Sequence, residues 1–399
     1  MTPTDRRLDL DWLRIGAFAL LILYHVGMFY VTWDWHVKSS RAGPAIEPLM
    51  LLINPWRLTL LFIISGVATR FMADKMTAGQ LLASRMGRLI PPLLLAVFVI
   101  VPPQSYLQVV EALGPQTAGD PWGFWLKYVT ASGHWCDADG CLITPTYNHM
   151  WFVAYLIIYT LILIPLAPLL RRAPKAMGAL IAGPGLVLTP WLFFWVTRIT
   201  LFPLFGETHA LTDDWYLHVL YLVAFLFGFA IAKYAPMFEQ AMRWRWLNLA
   251  LALAAYAFMM WARATCDHAN APTPPAWGRA LAAGMRELQA WCAILAAFGF
   301  AYRSLRNADG PIRRYLTEAI FPFYLVHQTA IIVAGYSLDR LHLPIAIEAS
   351  LIIAITLLAC WASLELARRV PLLRIWFGLR SQPRAFHGKN PTLAAERAG

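Results

Sequence analysis

Charged residues are scarce in this sequence of 399 residues. Asp, Glu, Lys and Arg make up 14% of it, against about 25% in a soluble globular domain, and that shortage excludes a fold surrounded by water. Cysteine is sparse too: Cys136, Cys141, Cys266, Cys292 and Cys360 show neither CxxC pairs nor zinc-ligand spacing. That excludes a disulfide-rich scaffold and a structural zinc domain. No internal repeat and no low-complexity segment appears, so a solenoid is excluded as well. Acidic residues number 22 against 33 basic ones, giving a net charge of +11 and a pI near 9.6. The basic residues do not gather into one face or tail, as a nucleic-acid partner would need. They stand between apolar runs.

Apolar sequence is what the chain has in abundance, at 59% of residues and a mean hydropathy of +0.54. Runs of about 20 apolar residues cross the ~30 Å hydrocarbon core as helices. Ten such runs are present, at 12–33, 48–69, 89–107, 149–169, 177–197, 215–233, 246–263, 284–302, 318–337 and 345–367. The fifth is interrupted by Gly183, Pro184, Gly185 and Pro190, and the third carries Pro91, Pro92, Pro102 and Pro103, so both are expected to be irregular. Arg6 and Arg7 precede the first run, but no small-residue cleavage site closes it, so it is expected to stay as a membrane helix. With the N-terminus inside, 23 of the 33 Lys and Arg fall on the cytoplasmic side, and the positive-inside rule places both termini there. The expectation is an all-α, polytopic transmembrane helix bundle over residues 1–380, followed by a disordered cytoplasmic tail at 381–399. On the opposite side Cys136 and Cys141 either form a disulfide or remain two thiols.

An ionisable residue inside a membrane helix is a functional candidate, because a charge at mid-bilayer costs about 2.5–3.5 kcal/mol. His25 follows Arg14 by eleven residues in the first run. That spacing turns a helix to within about 20° of three full turns and advances it about 16 Å, so the two share a face. Arg14 then sits at the cytoplasmic interface and His25 near mid-membrane, or else they are an interfacial anchor and a packing histidine. His327 lies at a similar depth, about 13 Å from the inner end of its span, if that span begins at Glu318. Arg85 and Arg88, three residues apart, point the same way and suit a phosphate clamp. Arg57 stands near the outer end of the second span, where no topological rule requires it, and either binds an anionic substituent or pairs with Asp34 or Glu47. Ser65 and Gly66 read as close packing of small residues or as part of a donor path; no GxSxG elbow supports a serine nucleophile. His149 and Trp151 open the fourth span at the outer interface, Trp151 as a belt residue and His149 as a candidate to face an outward cavity.

Five motifs then occur in one order: Arg14 with His25 as R-x10-H, LLFIISG at 60–66, Arg85 with Arg88 as R-x-x-R, HMWF at 149–152 and FYLVH at 323–327. Together they resemble the acyltransferase-3 family of integral membrane acyltransferases, over nearly the whole chain, and most of all the branch that contains the glucan biosynthesis protein C. The resemblance implies an O-acyltransferase of the bacterial inner membrane. It would move an acetyl or succinyl group from cytoplasmic acyl-CoA to a hydroxyl of an extracytoplasmic glycan, without a metal. Arg14, Arg85, Arg88 and Ser65 would hold the donor, His25 would be the general base, and His327 and Tyr324 would polarise the carbonyl or orient the acceptor. Arg57, His149 and Trp151 would line the outer entrance. The appended extracytoplasmic domain of many relatives is not seen, so the membrane unit is expected to perform every step. The alternative is a multi-span transporter or lipid flippase with a mid-membrane His/Arg site, which the interrupted fifth run favours.

Overall fold

The structure is a computed structural model and describes residues 7–138, 140–176, 178, 180–266 and 274–379. The tail expected at 381–399 lies outside the described residues. The chain forms helices α1 (Leu8–Tyr30), α2 (Glu47–Ala73), α3 (Ala78–Leu95), α4 (Pro102–Leu113), α5 (Pro115–Ala118), α6 (Pro121–Val129), α7 (Trp151–Ala176), α8 (Gly185–Phe205) and α9 (Trp215–Ile231). They continue with α10 (Ala235–Arg243), α11 (Arg245–Cys266), α12 (Ala276–Ser304), α13 (Pro311–Asp339), α14 (Ile345–Arg369) and α15 (Pro371–Trp376). A two-residue hairpin, β1 (Cys136–Asp137) and β2 (Gly140–Cys141), is closed by a Cys136–Cys141 disulfide, which resolves the alternative left open for these two residues.

Each of the ten apolar runs contains a helix, the fifth only from Gly185 onward, and among the described residues eight helices are long and apolar enough to cross a membrane unaided. The other two explain themselves. α9 is only 17 residues long and passes through a 106° bend into α10. α12 has 29 residues but carries Arg286 and Glu287, which pair with each other at 3.2 Å; Glu287 also meets Arg198 of α8 at 3.5 Å. These side chains exchange charge inside the bundle instead of facing lipid. The fifth run begins later than its sequence suggests. Residues around Gly183 form turns, and α8 runs without a break from Gly185 to Phe205 with Pro190 and Pro203 inside it, so the irregularity precedes the helix.

The third span shows what its prolines do. α3 passes through a π-turn at Ala96–Ile100 into α4, which together make one apolar segment from Ala78 to Leu113. Pro102 has no N–H to give the Phe98 carbonyl, and Gln104 N–H turns to Val101 (2.8 Å) and away from Ile100. The Phe98 and Ile100 carbonyls find side chains instead: Trp125 Nε1–H donates to Phe98 O at 2.9 Å and Thr329 Oγ1–H to Ile100 O at 2.8 Å. The break thus fastens the third span to α6 and α13 and turns Gln104 into the bundle.

α2 and α9 lie backbone to backbone. A Cβ at Gly66 would run into the Phe225 carbonyl and one at Gly228 into the Ile63 carbonyl, which gives the LLFIISG motif at 60–66 a close-packing role at its glycine. Where α2 ends, Asp74 gathers Arg70 (3.0 Å), Arg171 (3.3 Å) and Lys233 (2.5 Å), the last from the α9–α10 bend. Burial opposes ionisation of Asp74, but Lys233 and Arg70 outweigh it and hold its carboxyl below the ordinary range.

Candidate active site

α1, α13 and the turn at Asn148–Met150 that leads into α7 carry the histidines, and the α3–α4 break supplies Gln104, which ties the last two together. His25 lies five residues before the end of α1, nearer that end than the mid-membrane depth expected, and it meets His327 of α13 directly. The two rings stack with centroids 5.0 Å apart and planes 7° from parallel, and His25 Nδ1 is 2.8 Å from His327 Nε2. The matched depth inferred from sequence is therefore a contact.

The proton positions follow from the partners. His327 Nδ1 is 2.8 Å from the Tyr324 carbonyl, which can only accept, so in the neutral ring Nδ1 carries the proton and Nε2 bears the lone pair. That lone pair takes the Nδ1–H of His25. The lone pair of His25 is then on Nε2, for which the structure shows no protein donor among the described residues. His327 is fully buried, whereas His25 keeps partial exposure. One imidazole is a backing group and the other is available for proton transfer.

His149 completes the cluster from the turn just before α7. Its ring stands perpendicular to that of His327 at 5.3 Å, and the Tyr324 hydroxyl donates to its carbonyl. His149 Nε2–H donates to the Leu325 carbonyl (3.2 Å), leaving Nδ1 to accept from the Gln104 amide (3.4 Å). His149 is 95% buried with both nitrogens engaged, so the outward-facing position expected for it is corrected. Gln104 is the hub that sequence reasoning missed. Its Nε2 also donates to Thr329 Oγ1 (2.6 Å), and its Oε1 accepts from Asn148 (3.1 Å) and Gln328 (3.1 Å). Its signal in the sequence is a lone amide directly after two prolines; that of Gln328 is its place beside His327.

Arg57 is likewise 95% buried, not at an open mouth, and pairs with neither Asp34 nor Glu47 among the described residues. Glu47 is taken by Arg263 (2.5 Å) and by Thr32. The guanidinium of Arg57 lies 3.3 Å above the centre of the Tyr24 ring, one residue from His25. Trp151 packs on Tyr155 (5.2 Å), His209 (4.3 Å) and Tyr221 (5.6 Å), inside an aromatic cluster that the 206–214 loop covers. That loop holds Glu207, which meets Arg198 at 3.4 Å and Arg286 at 3.6 Å. Burial opposes its ionisation, but Arg286 and Arg198 outweigh burial and keep its carboxyl below the ordinary range.

The remaining residues sit toward the other end of the bundle. Arg85 and Arg88 are one turn apart on α3, with Arg85 Nε donating to Thr160 Oγ1 of α7 at 3.3 Å. Arg14 lies 3.8 Å from Asp11, itself held by Arg313 at 2.6 Å. Ser65 is half-buried on α2, and its carbonyl accepts from Thr69 (2.7 Å). The structure thus brings together His25, His327, Tyr324 and His149, with Arg57 one ring away. It leaves the arginines of the opposite end apart from that cluster, about 16 Å along α1 in the case of Arg14.

A multi-span bundle with a histidine pair near one end and arginines toward the other has a counterpart among known proteins. Residues 7–365 match the family described as an acyltransferase domain, Acyl_transf_3, and the chain belongs to that family. It is similar to the glucans biosynthesis protein C of Salmonella paratyphi B, 23% identical over 192 residues that cover 48% of this chain and 47% of that protein. The protein of the same description from Salmonella heidelberg is 25% identical over 158 residues, 40% of this chain and 38% of the other. The chain spans about half the length of the curated relatives it matches. No solved structure matches it.

Proposed function

We propose that the protein is a membrane O-acyltransferase that moves an acyl group, acetyl or succinyl, from cytoplasmic acyl-CoA to a hydroxyl of an extracytoplasmic glycan at the bacterial inner membrane. The observation that carries the reading is the His25–His327 pair, whose hydrogen bonds leave a lone pair on the partly exposed member. In this reading His25 Nε2 takes the acceptor hydroxyl proton as the oxygen bonds to the thioester carbonyl carbon. The tetrahedral centre then expels the CoA sulfur, and His25 returns the proton to the thiolate. His327 steadies the transient imidazolium by accepting its Nδ1–H. Arg85 and Arg88, with Arg14, would meet the CoA phosphates, and the pantetheine arm would cover the distance to His25.

Family membership and the glucan-related relatives support acyl transfer and a glycan acceptor. The 23 basic residues on one side support that side as cytoplasmic. The disulfide lies in the 114–147 segment between α4 and α7, which is assigned to the opposite, oxidising compartment. The transporter alternative rested on an interrupted fifth span; α8 itself is unbroken from Gly185 to Phe205, and the sharp bend falls between α9 and α10.

Charge reversal tests the donor end. In Arg85→Glu/Arg88→Glu the apparent KM for acyl-CoA is expected to rise about 10–100-fold, the loss of one or two charge-assisted hydrogen bonds of about 1.5–3 kcal/mol. The kcat at saturating donor should fall much less. A donor KM within twofold of the parent protein in membranes of equal expression contradicts the phosphate clamp.

A further inference from the structure

Beside His25 stand Tyr24, whose hydroxyl proton meets no acceptor among the described residues, and Arg57, two of whose side-chain nitrogens have no partner. The Tyr24 oxygen accepts from Asn54 Nδ2 at 2.7 Å, which fixes the phenol and directs its own O–H elsewhere; among the described residues that O–H meets no acceptor. Arg57 is pressed on the face of the same ring, and its buried Nε and Nη1 have no hydrogen-bond partner. No carboxylate pairs with Arg57 among the described residues, and Glu207, the one that acts on it from further away, is engaged by Arg198 and Arg286. Leaving a buried guanidinium without a counter-ion is costly, and such donors persist where charge appears during a reaction. The Tyr24 and His25 rings are 6.2 Å apart, which places the phenol next to the base.

Resting on the acyl-transfer reading, we propose that Tyr24 is the oxyanion donor of the reaction and that Arg57 acts through it. As the acceptor oxygen bonds to the carbonyl carbon, the C=O π pair moves onto the carbonyl oxygen. The Tyr24 O–H hydrogen-bonds that oxygen without surrendering its proton. The pair returns to reform C=O as the C–S bond breaks. Arg57 is a positioning residue. Its unneutralised charge over the ring draws density from the phenol and strengthens the O–H as a donor, while Asn54 holds the oxygen in place.

The test is CoA-thiol release by the full-length protein in nanodiscs, with acetyl-CoA and succinyl-CoA as donors and a linear glucose oligomer or water as acceptor. Tyr24→Phe is expected to lower kcat about 100-fold for both donors, the scale of one oxyanion-hole donor, with KM unchanged. An unchanged KM also shows that the site is folded. Arg57→Gln should lower kcat for both donors, Arg57→Lys should recover part of it, and Arg57→Gln should add little in the Tyr24→Phe background because the two act as one unit. Unimpaired kcat in Tyr24→Phe overturns the proposal. So does an Arg57→Gln defect confined to the KM for succinyl-CoA, which would make Arg57 the counter-ion of the acyl carboxylate. If the parent protein releases thiol from neither donor, the acyl-transfer reading itself fails. If the parent turns over, His25→Ala does not, and Tyr24→Phe is normal, that reading stands and only the oxyanion role falls.

Discussion

His25→Ala is expected to lower acyl transfer about a thousandfold, the middle of the range for a positioned general base, with the donor KM little changed. The magnitude follows from the hydrogen bonds. His327 is poorly placed to substitute, because it is fully buried behind His25. The change frees the lone pair on His327 Nε2, but that atom stays buried one ring behind the position His25 held. His149 cannot substitute, because its Nε2–H is held by Leu325 O and its Nδ1 faces Gln104. The structural cost of the change is small by comparison. It removes one hydrogen bond from a partly exposed ring and leaves His327 Nε2 without a donor, about 1–3 kcal/mol against the fold. A rate defect with normal expression is therefore the expected pattern, measured as CoA release in membranes carrying equal amounts of the two proteins. A rate within tenfold of the parent would move the base elsewhere.

Gly66→Val is expected to remove the folded protein, for a reason independent of chemistry. The added Cβ would meet the Phe225 carbonyl and the Phe229 amide, which belong to a helix backbone and cannot rotate aside as a side chain could. Separating α2 from α9 far enough to admit it would also disturb the Phe62–Tyr221 stack, whose rings are 4.6 Å apart. The expected loss is about 3 kcal/mol or more, at or beyond the usual upper end for overpacking because the obstacle is backbone, and a large part of a protein's net stability. Gly16→Ala in α1 is the control. A Cβ there meets nothing within 4 Å, and alanine in a helix interior gains about 0.5–1 kcal/mol over glycine. Detergent-solubilised yield and melting temperature distinguish the two. Equal behaviour of Gly66→Val and the parent would contradict the close α2–α9 contact.

Much of this architecture is legible without coordinates because a bilayer imposes few solutions. Length and apolarity alone mark the helices, and a histidine in an apolar run is conspicuous wherever it falls. The depths of His25 and His327, counted along two separate helices, already implied that they could meet. Their tautomers were hidden, since these depend on the Tyr324 carbonyl three residues before His327. Gln104 was hidden for a different reason. Its place depends on a π-turn, on two prolines that withhold N–H groups, and on Thr329 and Trp125 arriving from other helices to cap the carbonyls left behind. Arg57 was visible as an anomaly, but its surroundings were misjudged. Glu47 looked available, and only the fold shows it committed to Arg263 and Thr32. The start of the fifth helix was misplaced because apolar residues before Gly183 continue the hydropathy of the span while the backbone turns.

The central claim is that an acyl group leaves CoA on one side of the membrane and joins a hydroxyl on the other with His25 as base. Sealed proteoliposomes sorted for a single orientation test it most directly. Acyl-CoA with a 13C-labelled acyl group is enclosed at the arginine-rich face, and a glucose oligomer is supplied at the face that carries the Cys136–Cys141 hairpin. Mass spectrometry of the outer solution should find labelled ester on the oligomer, matched by free CoA retained inside, and neither with His25→Ala. Labelled ester from the His25→Ala protein, or intact acyl-CoA appearing outside with the oligomer unmodified, would contradict the account.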